Sequence, residues 1–179
     1  MAVFWQSTAP ATKISVMNDY SIRQVAVGDA AVAAHHRTRM FQDMGEVPQH
    51  LVDDLRRSSE LMLAALLASG EYIGWFALDG AGTVIAGAGV HIKAHLPRIA
   101  LHGGGVADSS VPLVVNVYTE PEWRGRGIAR ALMEKVLDWA DGLGYERVVL
   151  HASDAARPLY KSLGFAATNE MRWMPRRRG

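Results

Sequence analysis

The sequence predicts an α/β layered domain with a mixed central sheet and helices on both faces, and three features carry that expectation. Tyr72–Leu78 and Thr83–Lys93 read as strands about the turn-forming run Asp79-Gly80-Ala81-Gly82, which folds them back on each other as antiparallel neighbours. Val114–Thr119 reads as a strand that leads through a glycine- and arginine-rich turn into an amphipathic helix. Arg147–Ser153 is a further apolar run of strand type, so later strands are joined by helical crossovers. The predicted order is β-α-α-β-β-β-α-β-α-β.

Taken in chain order, residues 1–18 lack periodicity and read as a flexible extension, 19–175 as one domain, and 176–179 as a basic, solvated tail. Tyr20–Val27 alternates as a first strand. Asp29 is placed to cap a helix that carries Val32, His36 and Met40 along one side. Pro48 opens a second helix, with Leu51, Leu55, Met62 and Leu66 on a shared face until Gly70. His95–Val111 is a long connection containing Pro97, Gly103-Gly104-Gly105 and Ser109-Ser110; a substrate-side lid and a plain flexible loop both fit it. In the helix after Val114–Thr119, Ile128, Ala131, Leu132, Val136, Trp139 and Ala140 recur at steps of three and four, and Gly142 and Gly144 end it. Trp75, Trp123, Trp139 and Trp173 read as packing residues.

Composition narrows the function. A chain of 179 residues can bury a substantial single core, and a net charge of +1 argues against nucleic acid or an anionic membrane as the main partner. Neither a targeting segment nor an apolar run near the ~20 residues of a membrane helix is read, so the protein is expected to be cytoplasmic. The absence of cysteine excludes disulfides, thiolate-bound metal and a thioester on the protein itself. His35, His36, His91, His95 and His102 show no metal-ligand spacing, so no metal is expected.

The turn is the most informative segment. Gly125 and Gly127 allow consecutive N–H groups to converge on a phosphate, while the following helix presents its positive dipole end. Arg124 and Arg126 add guanidinium groups suited to phosphate oxygens. A Walker loop is excluded, because no Lys-Ser or Lys-Thr pair follows the glycines. A dinucleotide fingerprint fits poorly, because Arg130 stands where its third glycine would be. The segment Arg124-Gly125-Arg126-Gly127-Ile128-Ala129 instead resembles the pyrophosphate loop of motif A in the GNAT acetyltransferase superfamily, Arg/Gln-x-x-Gly-x-Gly/Ala. Downstream, Asp154–Phe165, with Leu159-Tyr160 followed by Gly164-Phe165, resembles that superfamily's motif B, with Asp154 in place of the usual asparagine. Arg37–Gly45 is similar to the first helix and loop of many bacterial members.

The resemblance implies a GNAT-like sheet, acetyl-CoA as acyl donor, and direct transfer of the acetyl group to a small-molecule or peptide amine. It implies that Val117, Tyr118 and Thr119 border the pantetheine arm. Arg124, Gly125, Arg126, Gly127, Ile128 and Ala129 would hold the diphosphate, with Ser153, Asp154, Arg157 and Tyr160 closing the coenzyme site. The Val117 main chain would polarise the thioester carbonyl and Tyr160 would protonate the departing sulfur. Glu120, Glu46, Asn116 through a water, and His151 are all candidates for the base. The alternative function is a non-catalytic acyl-CoA sensor. The resemblance also admits a homodimer.

Overall fold

In a computed structural model, residues 19–101, 104–107, 110–168, 171 and 173 are described; the expected extension at 1–18 and tail at 176–179 lie outside them. A five-stranded sheet has the order β1-β2-β3-β6-β7. Its strands are β1 (Tyr20–Gln24), β2 (Tyr72–Asp79), β3 (Val84–Ala94), β6 (Ser110–Thr119) and β7 (Val149–Leu150). The pairs β1–β2, β2–β3 and β3–β6 are antiparallel, and β6–β7 is parallel. Among the described residues, no helix is long and apolar enough to cross a membrane.

Strict alternation along β2 divides the core in two. Tyr72 and Phe76 face helices α1 (Ala30–Asp43) and α2 (Val52–Ser69), where they bury Ala30, Ala33, Ala34 and Leu63. Ile73, Trp75 and Ala77 face the opposite helix α3 (Ile128–Gly142), packed on the sheet through Ile128, Leu132, Met133 and Val136. Each such side chain contributes about 1.5–3 kcal/mol by leaving water. The three alanines of α1 let that helix lie close to the sheet, and Trp75 meets Trp139 of α3 edge-on at 6.0 Å. A short helix, α4 (Arg157–Ser162), follows β7.

Several expectations change in detail. The connection after β3 contains a small hairpin, β4 (Arg98–Ile99) with β5 (Val106–Ala107), and β6 begins at Ser110 rather than Val114. Arg98 and the Leu101 N–H both bond to the Glu146 carboxylate, which ties the hairpin to the segment after α3. The face of α2 is rotated: Leu51 and Met62 are exposed, while Ser59 and Leu63 are buried. The Asp29 carboxylate caps no donor of α1. It accepts from Arg23 and from the Ala26 N–H at 2.7 Å, sealing the preceding turn. Only Val149–Leu150 of the Arg147–Ser153 run pairs as a strand. The strand expected after α4 is not seen among the described residues. There the Phe165 N–H turns back to the Tyr160 carbonyl at 3.0 Å and its ring packs on Tyr160, so 165–168 are irregular.

Close approach dictates one glycine in β3. A Cβ at Gly89 would lie 1.9 Å from the Tyr72 hydroxyl oxygen, and Tyr72 is deeply buried. Gly89→Ala is expected to destabilise the protein by about 1–3 kcal/mol through overpacking, read as a lowered urea midpoint. An unchanged midpoint would show that the Tyr72 ring moves freely.

Candidate active site

The site begins as a defect in the sheet. Along β3–β6 the register passes from Gly89↔Asn116 to Val90↔Val114, leaving Val115 as an extra residue, a β-bulge. On its other edge β6 pairs with β7 only at Leu113↔Val149 and Val114↔Leu150, so the parallel ladder stops at the bulge. Beyond that point β6 continues to Thr119 with that edge unpaired by β7. The Glu120 N–H donates to the Ile85 carbonyl at 2.9 Å, which fixes the alternation of the antiparallel pair. The main-chain groups of Tyr118 and Asn116 therefore point toward β3, and those of Val117 and Thr119 point into the gap. The Thr119 Oγ1 is also buried without a hydrogen-bond partner among the described residues.

At the end of β6 a 3-10 turn at Pro121–Trp123 leads to Gly125 and Gly127, with φ of 75° and 79°. A side chain is strained at such angles, so glycine fits both positions. Gly127 caps α3, whose first N–H groups are free of intrahelical partners and point back toward the end of β6. The arginines of the turn are braced by the protein. Arg126 lies over the Trp123 ring at 4.6 Å and donates to the Glu122 carbonyl, while Arg124 donates to Thr119 O at 2.9 Å and pairs with Asp43 at the end of α1. Arg124 thus forms a strut between α1 and β6 while lining the site.

Two cavities meet in the gap. One of about 450 Å³ runs from Met40 and Asp43 of α1 and the following Met44, between β6 and β7, to His151 and Ser153. The other, of about 380 Å³, runs along the glycine turn past Gly125, Gly127, Ile128 and Ala129. Val117, Thr119, Arg124 and Tyr160 line both. The Tyr160 ring is buried against Phe165 and burial pushes its hydroxyl pKa up; that hydroxyl has no hydrogen-bond partner among the described residues. A phenol kept protonated at a junction of two cavities can donate a proton to whatever occupies them.

The family model of the GNAT acetyltransferases matches residues 31–165. The chain belongs to the GNAT acetyltransferase family. It is an acyltransferase, as its relatives are. It is 25% identical over 157 residues to an aminoglycoside N(6')-acetyltransferase of Stenotrophomonas maltophilia, covering 84% of this chain and 89% of that one. It is 31% identical to a mycothiol acetyltransferase of Nocardiopsis dassonvillei, covering 88% of this chain but 46% of that one. Among solved structures, an N-acetyltransferase of Ralstonia eutropha aligns with a TM-score of 0.77 at 26% identity, covering 87% of this chain and 98% of its own. A predicted acetyltransferase of Clostridium acetobutylicum, solved with acetyl-CoA, aligns with a TM-score of 0.72 at 25% identity, covering 87% and 96%.

Within this acetyltransferase the residues read from the two motifs separate by position. Val117, Thr119, Gly125, Gly127, Ile128, Ala129, Ser153 and Tyr160 surround the joined cavities. Tyr118 lines both cavities, but its main chain is turned toward β3, its ring is buried and the Arg124 guanidinium lies over it at 5.6 Å. Arg126 lines neither cavity, and Asp154 lies outside both, paired with Arg157 at 2.9 Å. Of the base candidates, Asn116 and His151 line the larger cavity, whereas Glu46 does not and Glu120 accepts from the Tyr118 hydroxyl at 3.2 Å. Met40, Asp43 and Met44 also line it, a consequence of α1 ending beside β6 that no local pattern encodes. Among the described residues no group of three or more His, Asp or Glu could hold a metal ion.

Behind Tyr118, His36 is buried with its Nδ1 unpaired, 5.2 Å from the Tyr118 ring and 3.8 Å through Nε2 from Glu120. Burial, with the neighbouring His35, lowers its pKa to about 4, so at neutral pH the Glu120 contact joins a neutral imidazole to a carboxylate and is not an ion pair. The unfolded chain takes up this proton near pH 6.5 and the folded one near 4, so stability falls as pH drops through that window. Urea midpoints between pH 7 and 4.5 are expected to fall less in His36→Gln than in the parent. Parallel slopes would contradict the assignment.

Proposed function

We propose that the protein transfers an acetyl group from acetyl-CoA directly to the amine of a small molecule or peptide, with no covalent acyl-enzyme. The observation that carries this reading is the open edge of β6 at Val117 and Thr119, facing Tyr160 and continuous with the glycine turn at the start of α3. In this reading the pantetheine arm supplies the amide groups that the missing strand would have offered, and the main-chain groups of Val117 and Thr119 pair with them. The N–H groups around Gly125 and Gly127 and those of Ile128 and Ala129 receive the diphosphate at the positive end of α3. Arg126 stands at the rim, held over Trp123. Ser153 borders the arm, and Asp154 with Arg157 flanks the outer mouth.

The chemistry asked of the protein is modest. Acetyl-CoA supplies an activated thioester, and the chain must orient it against the amine and stabilise charge growing on the carbonyl oxygen. The Val117 N–H is aimed into the gap for that purpose. As the carbon–sulfur bond breaks, the Tyr160 hydroxyl gives its proton to sulfur, a transfer suited to a phenol facing a thiolate. The chain has no cysteine, which agrees with direct attack by the amine. Asn116 and His151, both lining the larger cavity, are the residues positioned to pass the amine proton outward through water.

Two substitutions test the reading. Gly127→Glu should remove the calorimetric heat of acetyl-CoA binding, because it adds a carboxylate and a strained backbone where the diphosphate would lie. Tyr160→Phe should keep that heat yet lower thiol release by about 10²-fold, the lower end of what a positioned acid contributes. Binding with no thiol release for any amine in a broad panel would instead indicate a sensor.

A further inference from the structure

A further cavity of about 340 Å³ lies beneath α2, lined by Arg37, Ser59, Met62, Leu66, Tyr72 and Asn116 among others. It shares Val115 and Asn116 with the larger cavity of the acyl site, so the bulge borders both. A molecule seated under α2 therefore abuts the same stretch of β6 whose far side is proposed to hold the thioester.

Arg37 distinguishes this cavity. Its Nη1 donates to the Asn116 Oδ1 at 2.9 Å and to the Val115 carbonyl at 3.3 Å, both neutral acceptors, and its guanidinium lies over the Phe41 ring at 4.8 Å. No carboxylate pairs with it among the described residues. Several exposed arginines, Arg23, Arg124 and Arg157 among them, have an acidic partner, and Arg126, which has none among the described residues, lies in water. Arg37 is thus a partly buried guanidinium without a carboxylate partner, a place where an uncompensated charge is costly. Burial accordingly pushes the Arg37 pKa down, with a smaller opposing effect from the Tyr72 phenol and none from a carboxylate. The rest of the wall is apolar along Leu55, Met62, Leu63 and Leu66, with Ser58, Ser59 and His91 as further polar groups.

We infer that the acceptor amine carries a carboxylate, bound by Arg37 in the cavity under α2, and an apolar side group that lies against Leu55, Met62 and Leu66. This rests on the acetyl-transfer reading and names its substrate class: a free amino acid or short peptide of apolar character. A single guanidinium matches the forked geometry and the single charge of a carboxylate. A polycation of the aminoglycoside kind would set its own charges against Arg37.

The test is thiol release from acetyl-CoA with leucine, methionine and phenylalanine, each paired with its amide, and with kanamycin as polycation, compared at equal free-amine concentration. The acids should exceed their amides in kcat/KM by about tenfold or more, chiefly through KM, as a charge-assisted pair would give. Arg37→Gln should bring each acid-to-amide ratio near one, with its heat of acetyl-CoA binding retained as the check on folding. Met62→Glu, at an exposed rim position against the apolar side group, should lower use of both, and of the acids several-fold more than of the amides. Amides or kanamycin used as well as the acids, an unchanged ratio in Arg37→Gln, or no release from any acceptor while acetyl-CoA binds would each overturn the inference. Failure to bind acetyl-CoA would overturn the acetyl-transfer reading beneath it.

Discussion

The extra residue at Val115 is the constraint on which the rest of the site depends. A regular β6 would keep β7 in register to its end, and every main-chain donor and acceptor would be spent within the sheet. The bulge bends the strand, the ladder with β7 stops after Leu150, and the groups of Val117 and Thr119 are left directed into a gap. Normally such an edge is a liability; here residues of α3, α4 and the end of α1 line the cavities along it.

The two faces of the sheet are coupled through few contacts. Arg124 joins the Thr119 carbonyl to Asp43, so the end of α1 and the end of β6 hold each other in place. Asn116 accepts from Arg37 and donates to the Tyr72 hydroxyl, whose pKa burial pushes up to about 12, keeping it a neutral acceptor here. Gly89 leaves the space that Tyr72 occupies. A chain of close packing thus runs from β3 through Tyr72 and Asn116 to the bulge. The position of the open edge is set as much by the α1 and α2 side as by the glycine turn.

Much of this was legible in the sequence, for identifiable reasons. The Gly-Arg turn and the helix behind it are local features: glycine conformational needs, helix periodicity and the strand before them lie within thirty residues, and they appear where expected. The rotated face of α2 was not legible, because Ser59 is buried by its place above the sheet and not by its polarity. Pairing of β7 over two residues follows from a bulge on its neighbour, which its own apolar run does not reveal. The brace roles of Arg124 and Arg126 depend on Asp43 and Trp123, and the unpaired state of Arg37 depends on what α2 fails to bring near it. Tertiary partners, rather than local propensity, decide each of these.

The central claim is that the free edge of β6 is a docking strand for the coenzyme arm. Amide hydrogen exchange resolved to single residues, with and without acetyl-CoA, tests it most directly. Strong new protection is expected at Val117 and Thr119 and at the first amides of α3, with Asn116 and Tyr118, already bonded to β3, changing little. Equal slowing along all of β6, or protection confined to other strands, would contradict it.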